Sequence, residues 1–404
     1  MIKDIEHIPV YSDPEHCVNQ GSLVLLNNGD LFLGFNQERG TIHNDTGQSC
    51  FIKSTDNGKT WDQSTQQVVY PFTDYEGNWD CAFSQTAKGT LLMHTRVCSF
   101  IQPTALNSTI PQEVGDWHYK NPSYKHNNSH NNSGAQSNQD LLMRQTGYSL
   151  LRSNDNGDTW EGPFPVNTAP VARENSGGCS VGGSGGGHIV ELPDGGLLMP
   201  LEGAITLDQT AYAPGGVGEL CRVFTLRSDD GGNNWEYWAT VAFDPANAMY
   251  MSEPSMTRLQ SGKLVCMWRV QIRPGFRFDN MWFDTSEDDG ASWSRPARTP
   301  LWGYPPDLIQ LQDGRVLAVY GYRRDEFGVR GCVSEDGESW SKDNEFTIST
   351  GGDADPSVVN QYWHTAYPSV VQCETEPSLL PIMSIQRGSF HCKKCGSPDS
   401  KWAE

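Results

Sequence analysis

Apolar residues along this chain come in short runs broken by tight polar turns, and one such phrase returns five times. It reads "SLVLLNNGDLFLGF" at 22–35, "FSQTAKGTLLMHTRV" at 83–97 and "HIVELPDGGLLMPL" at 188–201. It returns as "SMTRLQSGKLVCMWRV" at 255–270 and "DLIQLQDGRVLAVYGYR" at 307–323. Asn-Gly, Asp-Gly and Ser-Gly pairs between alternating apolar runs predict hairpins, because these residues tolerate φ > 0. A third apolar run follows, such as "SCFIKS" at 49–54 or "RVFTLRS" at 222–228. Then comes a polar turn closed by tryptophan: "STDNGKTW" at 54–61, "SNDNGDTW" at 153–160, "SDDGGNNW" at 228–235, "SEDDGASW" at 286–293 and the shortened "SEDGESW" at 334–340. Ser and Asp side chains bond nearby backbone N–H groups, Gly takes the positive φ, and the Trp folds back to bury a large area. The turn is therefore expected to staple the third strand of each unit to a fourth.

Four antiparallel strands per unit, repeated, fit a β-propeller. A sixth unit begins at "TAYPSVVQCETEPSLLPIMSIQR", 365–387, without the polar turn, and "IEHIPVY" at 5–11 is the natural donor of its missing strand. The expectation is an all-β, six-bladed propeller of four-stranded antiparallel blades over residues 1–390, with a disordered tail at 391–404. Radial stacking leaves only short, protected strand edges.

Composition agrees with this picture. Among 404 residues there are 41 Gly and 24 Pro, so turns are many, and the hydrophobic share of 36% is low for a helical bundle. No run approaches the ~18–20 apolar residues of a membrane span. The opening "MIKDIEHIPVYSDPEHC" lacks the apolar stretch of a signal peptide. The chain as written is expected in the cytoplasm, or outside the cell if further residues precede it. A net charge of −20 repels phosphate and so argues against nucleic acid and anionic membrane as partners. It leaves room for a small anionic ligand held by a few local arginines. The 11 cysteines are odd in number and mostly scattered singly, so buried free thiols are expected rather than a disulfide framework. One CxxC, Cys392 and Cys395, is too little for a zinc site, and no metal or other cofactor is expected.

Two inserts interrupt the pattern. Residues 99–145 contain the Asn/Ser-rich "NPSYKHNNSHNNSGAQSNQ", expected as an exposed loop within the second blade. The Gly-rich "NSGGCSVGGSGGG" at 175–187 is no phosphate loop, since no Lys-Ser/Thr follows. Flexibility or close backbone approach to a ligand is its expected use.

The turn S-x-D-x-G-x-[ST]-W is the Asp box, and five copies with the hairpin phrase resemble the sialidase (neuraminidase) superfamily and its bacterial-neuraminidase-repeat relatives over about residues 5–387. The resemblance implies the propeller, a fold in which Asp boxes also occur outside the sialidases. It further implies a tyrosine nucleophile, a Glu that takes its proton, an Asp acid and arginines for a sugar carboxylate. Planar bidentate guanidinium suits a carboxylate. A neutral phenol can approach an anomeric carbon beside that carboxylate where another carboxylate is repelled.

At motif-matched positions, "MSEPSMTRLQSGKLVCMWRV" implies Glu253 as base and Arg269 as a carboxylate-binding residue. "GFNQERGTIHNDTGQSCFIKS" implies Arg39 and Asp45 in the pocket, with Asp45 the acid and His43 beside it able to tune or replace it. "YGYRRDEFGVRGCVSEDGESW" implies Arg323, ahead of Arg324 and Arg330. "WHTAYPSVVQ" implies Tyr367 as nucleophile. One departure stands out: where the family carries an Arg-Ile-Pro-like phrase before the first hairpin, this chain reads "HCVNQGSLVLL", with no Arg. Arg39 or Arg96 is then needed to complete the clamp.

Three functions follow. The first is an exo-acting retaining glycoside hydrolase releasing a terminal sialic acid or related acidic sugar from a glycan partner. The second is a sialidase-like hydrolase or lyase acting on another polysaccharide, which the missing Arg favours. The third is a non-catalytic glycan- or protein-binding propeller, in which Glu253, Asp45 and Tyr367 would share no pocket.

Overall fold

The structure, a computed structural model, describes residues 6–38, 47–101, 118–119, 142–171, 181–210, 218–273, 277–324, 326–350, 367–373, 379–386 and 389–396. After strand β1 (Glu6–Ser12), the first sheet holds β2 (Val18–Leu25), β3 (Leu31–Gln37), β4 (Gln48–Ser54) and β5 (Gln67–Tyr70). The second holds β6 (Glu76–Gln85), β7 (Leu91–Ile101), β8 (His118–Tyr119), β9 (Leu142–Ser153) and β10 (Glu161–Pro165). The third holds β11 (Val190–Glu191), β12 (Leu197–Thr210), β13 (Gly218–Ser228) and β14 (Glu236–Phe243). The fourth holds β15 (Met249–Arg258), β16 (Leu264–Ile272), β17 (Arg277–Phe278), β18 (Trp282–Ser286) and β19 (Ala297–Arg298). The fifth holds β20 (Pro306–Gln310), β21 (Val316–Tyr322), β22 (Gly328–Ser334) and β23 (Glu345–Thr350). The last holds β24 (Ser369–Val370), β25 (Leu379–Gln386), β26 (Ser389–Gly396) and, beside β26, β1. All pairings are antiparallel, and the fold is an all-β propeller.

Local chemistry explains each sheet. Between its first and second strands the first sheet turns at Gly29, at φ 89, whose N–H donates to Leu26 O at 2.8 Å. The same bond closes the turn at Gly89, Gly195, Gly262 and Gly314. In the polar turns Gly58 N–H donates to Ser54 Oγ (3.0 Å), Thr60 N–H to Asp56 Oδ1 (2.9 Å) and Trp61 Nε1–H to Gly58 O (3.3 Å). The indole-to-glycine bond recurs at Trp160, Trp235, Trp293 and Trp340. Hydrogen bonds from Thr159 and Ser153 hold the Asp155 carboxyl down at about 2, so it accepts as an anion across the physiological range.

The tryptophans do more than cover their turns. Each packs against the preceding sheet: Trp160 joins Phe32, Phe51 and Phe83 at the boundary of the first and second sheets, and Trp235 lies among Leu92, Tyr148 and Leu197 at the next. The hydrophobic core is thus divided among the sheet boundaries, and the boundary of the last and first sheets buries Val10, Leu23, Leu33, Ile52 and Tyr367. Near the axis, side chains of one sheet cap backbone N–H groups of the next. Ser22 Oγ accepts from Phe83 N–H (2.9 Å), Ser84 Oγ from Ile189 N–H (2.7 Å) and Ser255 Oγ from Leu308 N–H (3.0 Å). Asp307 Oδ2 accepts from Val370 N–H (2.9 Å), and Ser369 Oγ from Leu23 N–H (3.0 Å).

Three expectations meet the structure here. β1 pairs with β26 from Glu6↔Lys394 to Ser12↔Ser389, so the early segment does complete the last sheet. The expected tail begins too early: residues 391–396, including the CxxC, form most of β26, held between β25 and β1. Ladder bonds on both sides decide this, not apolar periodicity. In the Gly-rich stretch, a Cβ on Gly185 would stand 2.3 Å from Gly21 O, so the close approach is to the backbone of the first sheet. Of the insert at 99–145, residues 102–117 and 120–141 lie outside the described residues, as do 397–404. Cys17, Cys50, Cys81, Cys98, Cys221, Cys266, Cys332 and Cys373 are free thiols, all but Cys17 buried. No helix among the described residues is long and apolar enough to cross a membrane.

Candidate active site

The first strands of the sheets begin around the axis, and several do so with a residue in the left-handed region. Gln20, Asp80, Glu253 and Tyr367 have φ of 58, 59, 53 and 52. In β2, β6 and β15 these residues sit inside register shifts, between Asn19 and Ser22, Trp79 and Ala82, and Ser252 and Ser255. A bulge re-aims a side chain out of the ladder. A non-glycine residue in this conformation costs of order 1–3 kcal/mol, and such outliers concentrate at functional sites.

These residues converge. The Tyr367 hydroxyl donates to Glu253 Oε1 at 2.8 Å, and Arg269 Nη1–H donates to Glu253 Oε2 at 2.8 Å. One carboxylate therefore links a phenol and a guanidinium. The Arg269 guanidinium lies 4.7 Å from the Phe278 ring centre and 4.8 Å from that of Tyr304. Arg323 stacks on Tyr304 at 4.7 Å and lies 5.8 Å from the Tyr367 ring centre. Tyr367 is 4% exposed and Glu253 7%, so the cluster is almost free of solvent. Burial pushes the Tyr367 phenol well above its ordinary value; the charge of Glu253 adds to this, while Arg323 and Arg269 oppose it. Such a phenol stays protonated at neutral pH. It becomes a nucleophile only when a base takes its proton, and Glu253 is within reach to do so.

Asp80 and Gln20 extend the cluster. Arg96 pairs with Asp80 Oδ2 at 2.7 Å, and Gln20 Nε2–H donates to Asp80 Oδ1 at 3.0 Å. Gln20 Oε1 in turn accepts the Gly185 N–H at 3.1 Å. Burial drives the Glu202 carboxyl well above its usual range, and the charges of Glu253 and Asp80 push it further.

The structure therefore brings Tyr367, Glu253, Arg269 and Arg323 together and sets Arg96 beside them against Asp80. Arg39, His43 and Asp45 lie between β3 and β4, outside the described residues. Sequence reasoning passed over Asp80, Gln20, Glu202 and Tyr304. A signal for Glu202 was present, because it ends "LLMPLE" where Arg96 ends "LLMHTR" and Arg269 ends "LVCMWR".

Antiparallel sheets about an axis, with a buried phenol, carboxylate and guanidinium where their first strands begin, define a β-propeller with a hydrogen-bonded polar cluster near its centre. Residues 131–392 match the family model of the BNR repeat-like domain, and the chain belongs to that family, among the sialidase-like propellers. A protein of unknown function from Dyadobacter fermentans shares the fold with a TM-score of 0.73 at 21% identity, over 98% of this chain and 100% of that one. The intramolecular trans-sialidase of Ruminococcus gnavus gives 0.61 at 15% identity, over 97% of each chain. The α-L-arabinanase of Penicillium chrysogenum gives 0.59 at 14% identity, again over 97% of each. At these identities the likeness is one of fold. No curated protein matches the chain.

Proposed function

We propose that the chain is an exo-acting, retaining glycoside hydrolase of sialidase type, built as a six-bladed propeller with Asp-box turns. Its substrate is a glycan ending in a sialic acid or related acidic sugar. The observation that carries this reading is the Tyr367 hydroxyl donating to Glu253 at 2.8 Å, with Arg269 on the other carboxylate oxygen. As the Tyr367 oxygen attacks the anomeric carbon, its proton passes to Glu253, which the hydrogen bond from Arg269 keeps oriented. Asp45 protonates the leaving oxygen and then activates the water that releases the sugar. Arg323, Arg269 and Arg39 hold the sugar carboxylate, and His43 tunes or replaces the acid. The chemistry needs only side chains and water.

A second reading has a specific observation behind it. Gln20 takes the place before the first hairpin where an arginine is expected, and the nearby Arg96 is already paired with Asp80. With one cation neutralised, the pocket also suits a sugar lacking a carboxylate. The deciding experiment is release of 4-methylumbelliferone from its α-ketoside of N-acetylneuraminic acid by wild type and Tyr367→Phe. Cleavage lost in the variant supports the first reading. A folded wild type without activity, followed by cleavage within a panel of uronate, Kdo and neutral glycosides, supports the second. Inactivity on all of them leaves a binding propeller.

A further inference from the structure

The register of the second strands reveals an exchange of charge. In β7, β16 and β12, Arg96, Arg269 and Glu202 stand opposite Trp79, Ser252 and Gly182 of the adjoining segment. The next residues along that segment are Asp80, Glu253 and Gly183. In the second and fourth sheets the arginine thus pairs with the left-handed carboxylate of its own sheet. In the third sheet both charges are altered: a glycine replaces the carboxylate and a glutamate replaces the arginine. Glu202 turns instead to the fourth sheet, where its Oε2 accepts the backbone N–H of Glu253. A Cβ on Gly182 would stand 3.1 Å from Glu202 Oε1 and 3.5 Å from Asp80 Oδ2, so glycine there leaves room for this crossing.

That N–H needs an acceptor. The register shift between Ser252 and Ser255 removes Glu253 from the β15–β16 ladder, and a buried N–H without a partner is rarely tolerated. We propose that Glu202 is a positioning residue, anchoring the left-handed backbone of Glu253 so that its carboxylate stays aligned between the Tyr367 hydroxyl and Arg269. Among the described residues, the charged groups that act most on Glu202 are Glu253, Asp80 and Arg96. The inference rests on the glycosidase reading for its catalytic consequence only.

The test compares Glu202→Leu, which has no acceptor, with Glu202→Gln, which keeps a carbonyl oxygen; Glu202→Met replaces Leu if that variant does not fold. On the glycoside that wild type cleaves, E202L is expected to lower kcat about 10–100-fold with KM within about twofold, as misalignment of a base does. E202Q is expected to stay within about threefold of wild type, with an unchanged pH profile. Hydrogen exchange of the Met249–Arg258 backbone supplies a readout independent of activity: E202L should lose protection at Glu253 and E202Q should keep it. Wild-type kcat and protection in E202L would overturn the proposal. So would equal damage in both variants, which assigns the role to charge rather than to the acceptor. If wild type cleaves no glycoside, exchange alone decides the anchoring, and the glycosidase reading fails separately.

Discussion

Replacing Arg269 by methionine removes the guanidinium while keeping most of the apolar stem. Arg269 and Glu253 expose only 14% and 9% of their side chains, so water cannot compensate the carboxylate left behind. Removing one member of a buried pair costs about 3–5 kcal/mol, mostly because the remaining charge is unpaired. The lost stacking on Phe278 and Tyr304 adds about 0.5–2 kcal/mol, of which a thioether beside the rings restores part. Roughly 4 kcal/mol is thus expected for R269M, a large fraction of the ~5–15 kcal/mol that a domain has. If the unpaired charge is the main cause, R269M/E253Q should recover about 2–3 kcal/mol relative to additivity, since the neutral amide still accepts from Tyr367. Equilibrium urea unfolding, followed by fluorescence of the 13 tryptophans, measures both quantities. A cost below about 1 kcal/mol for R269M, or additivity in the double variant, would refute the reasoning.

Other expectations concern the frame around the site. His188 Nε2 lies 3.5 Å from the fully buried Asp307 Oδ2, and Nδ1–H donates to Phe83 O at 2.7 Å. Burial alone would lower the imidazole, but the charge and hydrogen bond of Asp307 outweigh it and raise it. The stabilisation is then complete below the unfolded value of about 6.5 and fades as pH rises through the raised folded value. Thermal unfolding should therefore show His188→Gln most destabilised below pH 6 and progressively less so in alkali; a pH-independent difference would contradict this. Gly185→Ala should cost about 3 kcal/mol or more, since its Cβ meets backbone at 2.3 Å. Gly29→Ala, with nothing within 4 Å, should cost only about 1 kcal/mol, from its positive φ. The two are compared by urea midpoints. Trp235→Ala, which empties a boundary between sheets, should cost about 3–5 kcal/mol by the same measurement.

What the sequence made legible was local. The turns at Gly29 and Gly89, and the five polar turns with their tryptophans, are each written within a few residues. Tyr367, Glu253, Arg269 and Arg323 were legible through a family pattern, and the first three are in direct contact. The rest depended on residues meeting across sheets. Asp80 looks like any strand residue until Gln20 and Arg96 reach it, and Glu202 acquires meaning only when the backbone of Glu253 leaves its ladder. β26, "SFHCKKCG", carries charged residues in mid-strand and no apolar period, because bonds from β25 and β1 on its two sides define it. The left-handed backbone at Glu253 and Tyr367 likewise has no local cause; each precedes a proline, Pro254 and Pro368, and each is fixed by contacts from distant strands.

The pairing of β1 with β26 gives the molecule a particular order of assembly. The bond from Leu23 N–H to Ser369 Oγ spans 346 residues, and closing a chain segment of that length costs about 5 kcal/mol of entropy at its two ends. During synthesis the earlier sheets can stack as they emerge, yet the clusters around Leu33 in the first sheet and Val319 in the fifth are completed only when Tyr367, Val370 and Ile382 have left the ribosome. A nascent chain released before residue 396 would be a split washer with two greasy faces. Tyr367 belongs to the cluster that covers one of those faces, so the site is completed in the same event that seals the ring.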